Sequence, residues 1–340
     1  MRLNKISLFL SLILLLFPII VFAWDTNGHE DNYSEINSGL GLQGWFSQAS
    51  AKWQISFPYT TSAGTPGKIE SRLDYRKIDS PLVIATAGGK VAPRIAFDVT
   101  YGYGSITGGR GTDTDRFLPS SGGGLDFSQS TSKLDGDTRL WGIDVYYNSR
   151  QFGDKQAGPW GLVLGFLHYG DNLQMTSGVQ TVSVPFDGTT FPQLGPFSSS
   201  QVLNSSYDFS WNLLKVGVVH QAELAKGFSY SGTFSVYPYV DYKGEGYWNL
   251  RAGTSTSDFR LQSPNFIQKS NNGYGYEASL GLAYELSENW ELSAGYRYLY
   301  LYVGNGTDTV YFADGTEVQS TLDWVVVTRH GAYAELLLKF

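Results

Sequence analysis

The sequence predicts an all-β protein: a single ten-stranded antiparallel transmembrane β-barrel with long extracellular loops and short periplasmic turns. Three observations predict it. The chain opens with an export segment, its apolar residues alternate with period two, and its connections alternate between short and long.

The export segment comes first. Arg2 and Lys5 form a positive start, and an apolar run extends from Ile6 to Phe22. Val21 and Ala23 satisfy the small-residue rule for cleavage, so residues 1–23 read as a signal peptide and the mature barrel as 24–340, starting at Trp24. The alternative is an uncleaved anchor, for which the run is barely long enough. No later stretch reaches the ~20 continuous apolar residues of a membrane helix.

Composition agrees with a barrel. Aromatic residues are 15% of the chain, and Gly accounts for 40 of 340 residues, which suits strands carrying girdles at two interfaces. The net charge is −7; without Arg2 and Lys5 it becomes −9, which argues against a nucleic-acid partner. There is no Cys, which excludes disulfides, thiolate metal sites and a Cys nucleophile.

The strands follow in order: 42–57, 67–82, 90–104, 137–148, 158–170, 206–220, 227–243, 273–286, 289–303 and 323–340. The eighth shows the pattern most clearly. Tyr274, Tyr276, Ala278, Leu280, Leu282 and Tyr284 share one face, with Gly275, Glu277, Ser279, Gly281, Ala283 and Glu285 on the other. An apolar face with tyrosines at both ends suits lipid, and a small, charged face suits a lumen. Ile95, Phe97, Val99, Tyr101 and Tyr103 repeat the pattern in the third strand, as do Phe228, Tyr230, Phe234 and Val236 in the seventh. A soluble sandwich also alternates, but its loops would be similar at both ends. Here short connections (83–89, 149–157, 221–226, 287–288) alternate with long ones (105–136, 171–205, 244–272, 304–322), and 58–66 is intermediate.

The chain ends on Phe340, with Leu338 and Leu336 on the same face, similar to the C-terminal signal read by the outer-membrane assembly machinery. Lys215 and His330 fall on the lipid face if alternation is carried through, so bulges are expected near Leu213–Leu214 and Thr328. A charged lumen network is expected from Glu70, Arg72, Asp74, Arg76, Arg94, Asp98, Asp144, Glu277, Arg297 and Arg329, with Glu285, Glu291 and Glu335 beside it. Mixed signs predict pairing that fills the lumen; the competing reading is a narrow charged channel.

Several motifs cluster between Gly67 and Asn148. They are Ser71-Arg72-Leu73-Asp74-Tyr75, then Pro93-Arg94-Ile95, then the run from Gly104 through Gly108-Gly109 to Asp113-Thr114-Asp115, then Asp137-Thr138-Arg139-Leu140 and Asp144. This quarter of the chain resembles the omptin family of outer-membrane proteases. The resemblance implies a narrow ten-stranded barrel that projects above the membrane. It also implies lipopolysaccharide binding, and an Asp pair facing an Asp–His pair across the mouth to activate water against basic peptide sites. Carried over, Asp113 and Asp115 match the Asp pair. The Asp-x-His is absent: the corresponding stretch reads Lys243-Gly244-Glu245-Gly246-Tyr247-Trp248-Asn249, and no acid lies between Gly41 and Phe57.

His168, near Asp171, is the one candidate for a replacement base, and it reads first as a strand-end histidine at the aromatic girdle, since a base also needs geometry. His220 and His29 fall away from the outer mouth. Asp135-x-Asp137 lacks the other ligands of a calcium loop, and no cofactor or metal motif is present.

Three functions follow. The first is a non-proteolytic barrel acting through its loops, with Tyr247, Trp248, Phe259, Phe266, Tyr311 and Phe312 available to a surface partner or lipopolysaccharide. The second is an aspartate-dependent endopeptidase, and the third a narrow solute channel. Localisation in the bacterial outer membrane is expected for all three.

Overall fold

The computed structural model describes residues 38–92, 94–148, 159–187, 203–249 and 261–340. The expected signal peptide and His29 lie outside the described residues. The described chain forms twelve antiparallel strands: β1 (Ser38–Thr60), β2 (Pro66–Ala92), β3 (Ile95–Ile106), β4 (Gly108–Pro119), β5 (Leu125–Tyr147), β6 (Trp160–Ser183), β7 (Asn204–Ala225), β8 (Phe228–Tyr247), β9 (Leu261–Ser270), β10 (Gly273–Glu285), β11 (Trp290–Phe312) and β12 (Glu317–Lys339). They build one ring-like sheet in which β1 pairs with both β12 and β2. β3 and β4 both lie between β2 and β5. β9 and β10 both lie between β8 and β11.

The count differs from the ten strands of the sequence reading because β4 and β9 form within stretches read as outer loops. Other strands also run on into those stretches: β6 to Ser183, and β11 to Phe312. The reason lies in strand length. A span needs about 9–11 tilted residues, whereas β1, β5, β11 and β12 have 23 each. Half of such a strand suffices for the membrane, and the other half continues as a ring standing in water.

Polarity inverts between the two halves. In the first half, apolar side chains point outward: Phe46, Val83, Leu164 and Leu280 are 59–66% exposed, as a lipid-facing belt requires. In the second half they point inward: Trp53, Leu73, Tyr75, Tyr207, Phe209, Trp211 and Tyr242 are all buried. Water on the outside replaces lipid, so the aromatic face turns toward the interior.

Two polar layers occupy the lumen below that aromatic core. In the lower one, Arg297 Nε lies 2.8 Å from Glu277 Oε1, and Lys215 Nζ donates to Asp144 Oδ2 at 2.7 Å. Tyr237 donates to Glu277, and the Arg297 guanidinium lies 4.8 Å from the Trp45 ring centroid. Gly165 makes room for this pairing, since a Cβ there would sit 1.9 Å from Asp144 Oδ1. In the next layer Arg329, fully buried, donates to Tyr169 (3.2 Å), Ser47 (2.7 Å), Thr138 (3.0 Å) and Asp171 (2.9 Å). Ser80 donates to Thr138 at 2.9 Å, closing a network that joins β1, β2, β5, β6 and β12. A buried guanidinium is tolerated when its donors are met in this way.

The expected bulges are corrected. β7 alternates without a break: Leu213 is inside, Leu214 outside and Lys215 inside, so Lys215 reaches the lumen by ordinary alternation. The irregularity is on the partner strand, where Tyr237 and Pro238 of β8 together oppose Lys215. β12 has no shift near Thr328; its bulge is at Asp323, and His330 stays on the outer face, accepting from or donating to Tyr296 (2.7 Å).

Arg329→Leu leaves Asp171 buried without its cation. Expected is a loss of about 3–5 kcal/mol of stability, read as a lower urea midpoint in detergent micelles and as loss of heat-modifiable gel mobility. The outer-face variant Arg116→Leu should leave both unchanged.

Candidate functional site

The ring above the membrane encloses a cavity of about 430 Å³ that opens at the mouth. Two walls of different chemistry define it. One is aromatic: Trp53 packs against Phe266 (5.8 Å between centroids), Phe266 against Trp248 (5.1 Å), and Phe127 stacks on Phe186 (4.6 Å, 10°). The other carries hydroxyls and acids: Ser128, Ser130 and Ser132 of β5, and Asp113 and Asp115 of β4. The pairings Asp113↔Ser130 and Asp115↔Ser128 place these groups side by side on one inward face. Asp308 of β11 lines the cavity from the other side of the ring. No Lys, Arg or His is among the described residues that line it.

Asp113 and Asp115 therefore stand on a strand inside the mouth, not on the exposed loop that the sequence implied. Their neighbours across the cavity are Trp248, Leu261, Phe266 and Val310. His168 is corrected. It sits opposite Trp141 on the outer face, stacked on that ring (5.5 Å) and bonded through Nδ1 to Asn212 Oδ1 at 2.8 Å. Asp171 points the other way, into the Arg329 layer, so alternation along β6 separates the two. His220 also faces outward, against Trp160 and Tyr230.

The expected charge network divides. Asp98, Asp144, Glu277, Arg297 and Arg329 face the lumen; Asp98 accepts from Tyr146 at 3.0 Å. Glu70, Arg72, Asp74 and Arg76 do not. Ile69, Ser71, Leu73 and Tyr75 take the inner face of β2, and a bulge at Arg76–Lys77 restores inward Ile78 and Ser80 below. Arg94 is an exposed turn residue with φ 66°, outside the lumen.

The outward charges form a second feature, a groove of about 540 Å³ lined by Arg72, Arg76, Lys77, Arg110 and Arg116, with Glu70 and Asp74 among them. Asp74 alone meets three cations: Lys52 (3.4 Å), Arg72 (3.6 Å) and Arg76 (Nε at 2.9 Å). Bases exceed acids here.

Sequence reasoning missed Asp308, which lay in an assumed loop. The serines at 128, 130 and 132 did show a period of two, and that was the available signal. Asp308 accepts from Ser320 Oγ at 3.1 Å and has Gln268 as its cross-strand neighbour on β9. Asp308 lies in the outer part of β11 that pairs with β9, past Tyr302. Burial pushes its carboxyl up to about 6, with Gln268 and Ser320 pulling the other way. At the rim, bonds from Ser62 and Tyr59 hold the Asp187 carboxyl below its ordinary value.

A raised acid stabilises the fold most below its unfolded value and loses that contribution as pH rises through about 6. Asp308→Asn should accordingly gain up to ~3 kcal/mol relative to the native chain at pH 8, and the gain should vanish by pH 4. Urea unfolding in micelles at the two pH values measures it.

The fold defines a class: a β-barrel of the outer-membrane type, its strands in one ring-like sheet. The family model for Pom, the Protochlamydia outer membrane protein, matches residues 43–327, and the chain belongs to that family. Among solved structures it is similar to the outer membrane protease OmpT from Escherichia coli, with 14% identity, TM-score 0.69, and 92% of this chain and 99% of that chain covered. It also matches the translocator domain of the autotransporter NalP from Neisseria meningitidis, with 11% identity, TM-score 0.34, and 99% and 98% covered. The toluene transporter TodX from P. putida matches with 10% identity, TM-score 0.27, and 89% and 90% covered. The likeness to OmpT is one of fold. No curated protein matches.

Proposed function

We propose that this chain is a closed barrel of ten spans in the bacterial outer membrane, with β3–β4 and β9–β10 each acting as one span. Its work is surface binding through the projecting ring, without omptin-type proteolysis. The observation that carries this reading is the placement of histidines. The three described histidines, His168, His220 and His330, sit on the outer face, while Asp113 and Asp115 stand among serines opposite an aromatic wall, with no histidine among the described lining residues. Activating water at neutral pH calls for a base poised near that pH and within reach of the water. An aspartate pair without one serves better as a hydrogen-bond acceptor.

The basic outer groove supports a lipopolysaccharide partner. Arg72, Arg76, Lys77, Arg110 and Arg116 are presented on the ring's water-facing side, and a guanidinium fork matches a phosphate bidentately. Trp324 lies under the Arg72 guanidinium (5.8 Å), which holds that side chain against the surface.

A channel is the second reading, and one observation favours it: the layers at Glu277–Arg297 and Asp171–Arg329 are polar, as a solute path requires. Against it, Arg329 and Asp171 are almost wholly buried, and the aromatic core fills the lumen above them.

Refolded protein separates the three readings. With lipopolysaccharide present, no cleavage of a fluorogenic peptide library is expected; cleavage abolished by Asp113→Ala/Asp115→Ala would make it an endopeptidase. In planar bilayers no steady conductance is expected, and stepwise conductance would establish the channel. Arg72→Gln/Arg76→Gln/Arg116→Gln should weaken lipopolysaccharide binding by about tenfold at low salt, with a smaller effect at high salt. Unchanged binding would remove the outer groove from the proposal.

A further inference from the structure

The mouth cavity has a chemistry separate from the basic outer groove, and from it we infer that this cavity is a binding site for a neutral or amino saccharide. The inference stands apart from lipopolysaccharide binding outside, and each is read by its own measurement.

The aromatic wall supplies the first requirement. Trp53, Trp248 and Phe266 form a contiguous set of rings beneath the mouth. A pyranose has apolar faces of C–H groups, and burying such a face against the electron-rich face of a ring is favourable. The opposite wall supplies the second. Ser128, Ser130 and Ser132 each both donate and accept, and a carboxylate such as Asp115 accepts only. A ligand meeting these groups must carry many donors and some acceptors at its rim, which describes a polyol.

Asp113 and Asp115 add two carboxylates to that polar wall, acceptors for a ligand hydroxyl or ammonium. The absence of Lys, Arg and His among the described lining residues disfavours anionic sugars, because a buried anion without a cation is costly. Aromatic burial with a few placed polar groups is also the general character of a small-ligand pocket.

The experiment is ligand-observed saturation-transfer NMR on the refolded barrel, its fold verified by heat-modifiable gel mobility. The probes are maltotriose, chitotriose, sialyllactose and benzyltrimethylammonium. Expected are transfer to maltotriose or chitotriose and none to sialyllactose. The double variant Ser130→Leu/Ser132→Leu, which fills the polar wall, should weaken binding by about tenfold or more. Trp53→Phe, which shrinks the aromatic wall, should weaken it by a few-fold. Lys243→Gln, on the outer face and away from both sites, should bind as the native chain does. No saccharide signal from correctly folded protein would overturn the inference, as would binding that survives Ser130→Leu/Ser132→Leu. Saturation of the cavity by benzyltrimethylammonium without any saccharide signal would overturn it too, by making the site a cation pocket.

Discussion

The long strands of this protein pass from a lipid-facing half to a water-facing half partway along their length, and the rest of the structure depends on that boundary. Below it the outside of the barrel is hydrocarbon, so Phe46, Val83, Leu164 and Leu280 face out and Glu277, Arg297 and Lys215 face in. Above it the outside is water, so Arg72, Arg76 and Arg116 face out while Trp53, Tyr207 and Trp211 fill the interior. The same alternating backbone serves both environments because period two offers either face to either solvent. Bulges at Lys77 of β2, at Pro238 of β8 and at Asp323 of β12 exchange the faces where the solvent changes.

The two polar layers and the aromatic core act together as a plug. Arg329 reaches from β12 to groups on β1, β5 and β6, so one guanidinium ties distant parts of the ring through its lumen. Its cost is met because each of its three nitrogens has an oxygen partner. The filled lumen also defines the site, lying beneath a cavity that opens at the mouth. Omptin-like architecture is thereby retained around a mouth whose described lining has no histidine.

Part of this was legible in the residues themselves. The face assignments of Asp98, Asp144 and Glu277 follow from simple alternation, because their strands keep one parity through the membrane. Glu70, Arg72, Asp74 and Arg76 show why the rest was not. Their alternation was visible, but it does not reveal whether the opposite face meets lipid or an interior, and the bulge at Lys77 leaves no mark in composition. His168 failed for the same reason: three positions from Asp171 in sequence is the opposite face in a strand.

The sequence by itself determined the architecture: many antiparallel strands, each alternating between two faces of different polarity. These are local consequences of period two and of composition. Only the tertiary structure decided where the water boundary falls, which acids share a cavity and which charges stay outside. Asp113, Asp308 and Trp53 lie far apart in the chain and meet at one pocket because β4, β11 and β1 stand around one ring. Such meetings depend on register between strands, and register is a property of pairs of segments, not of either sequence alone.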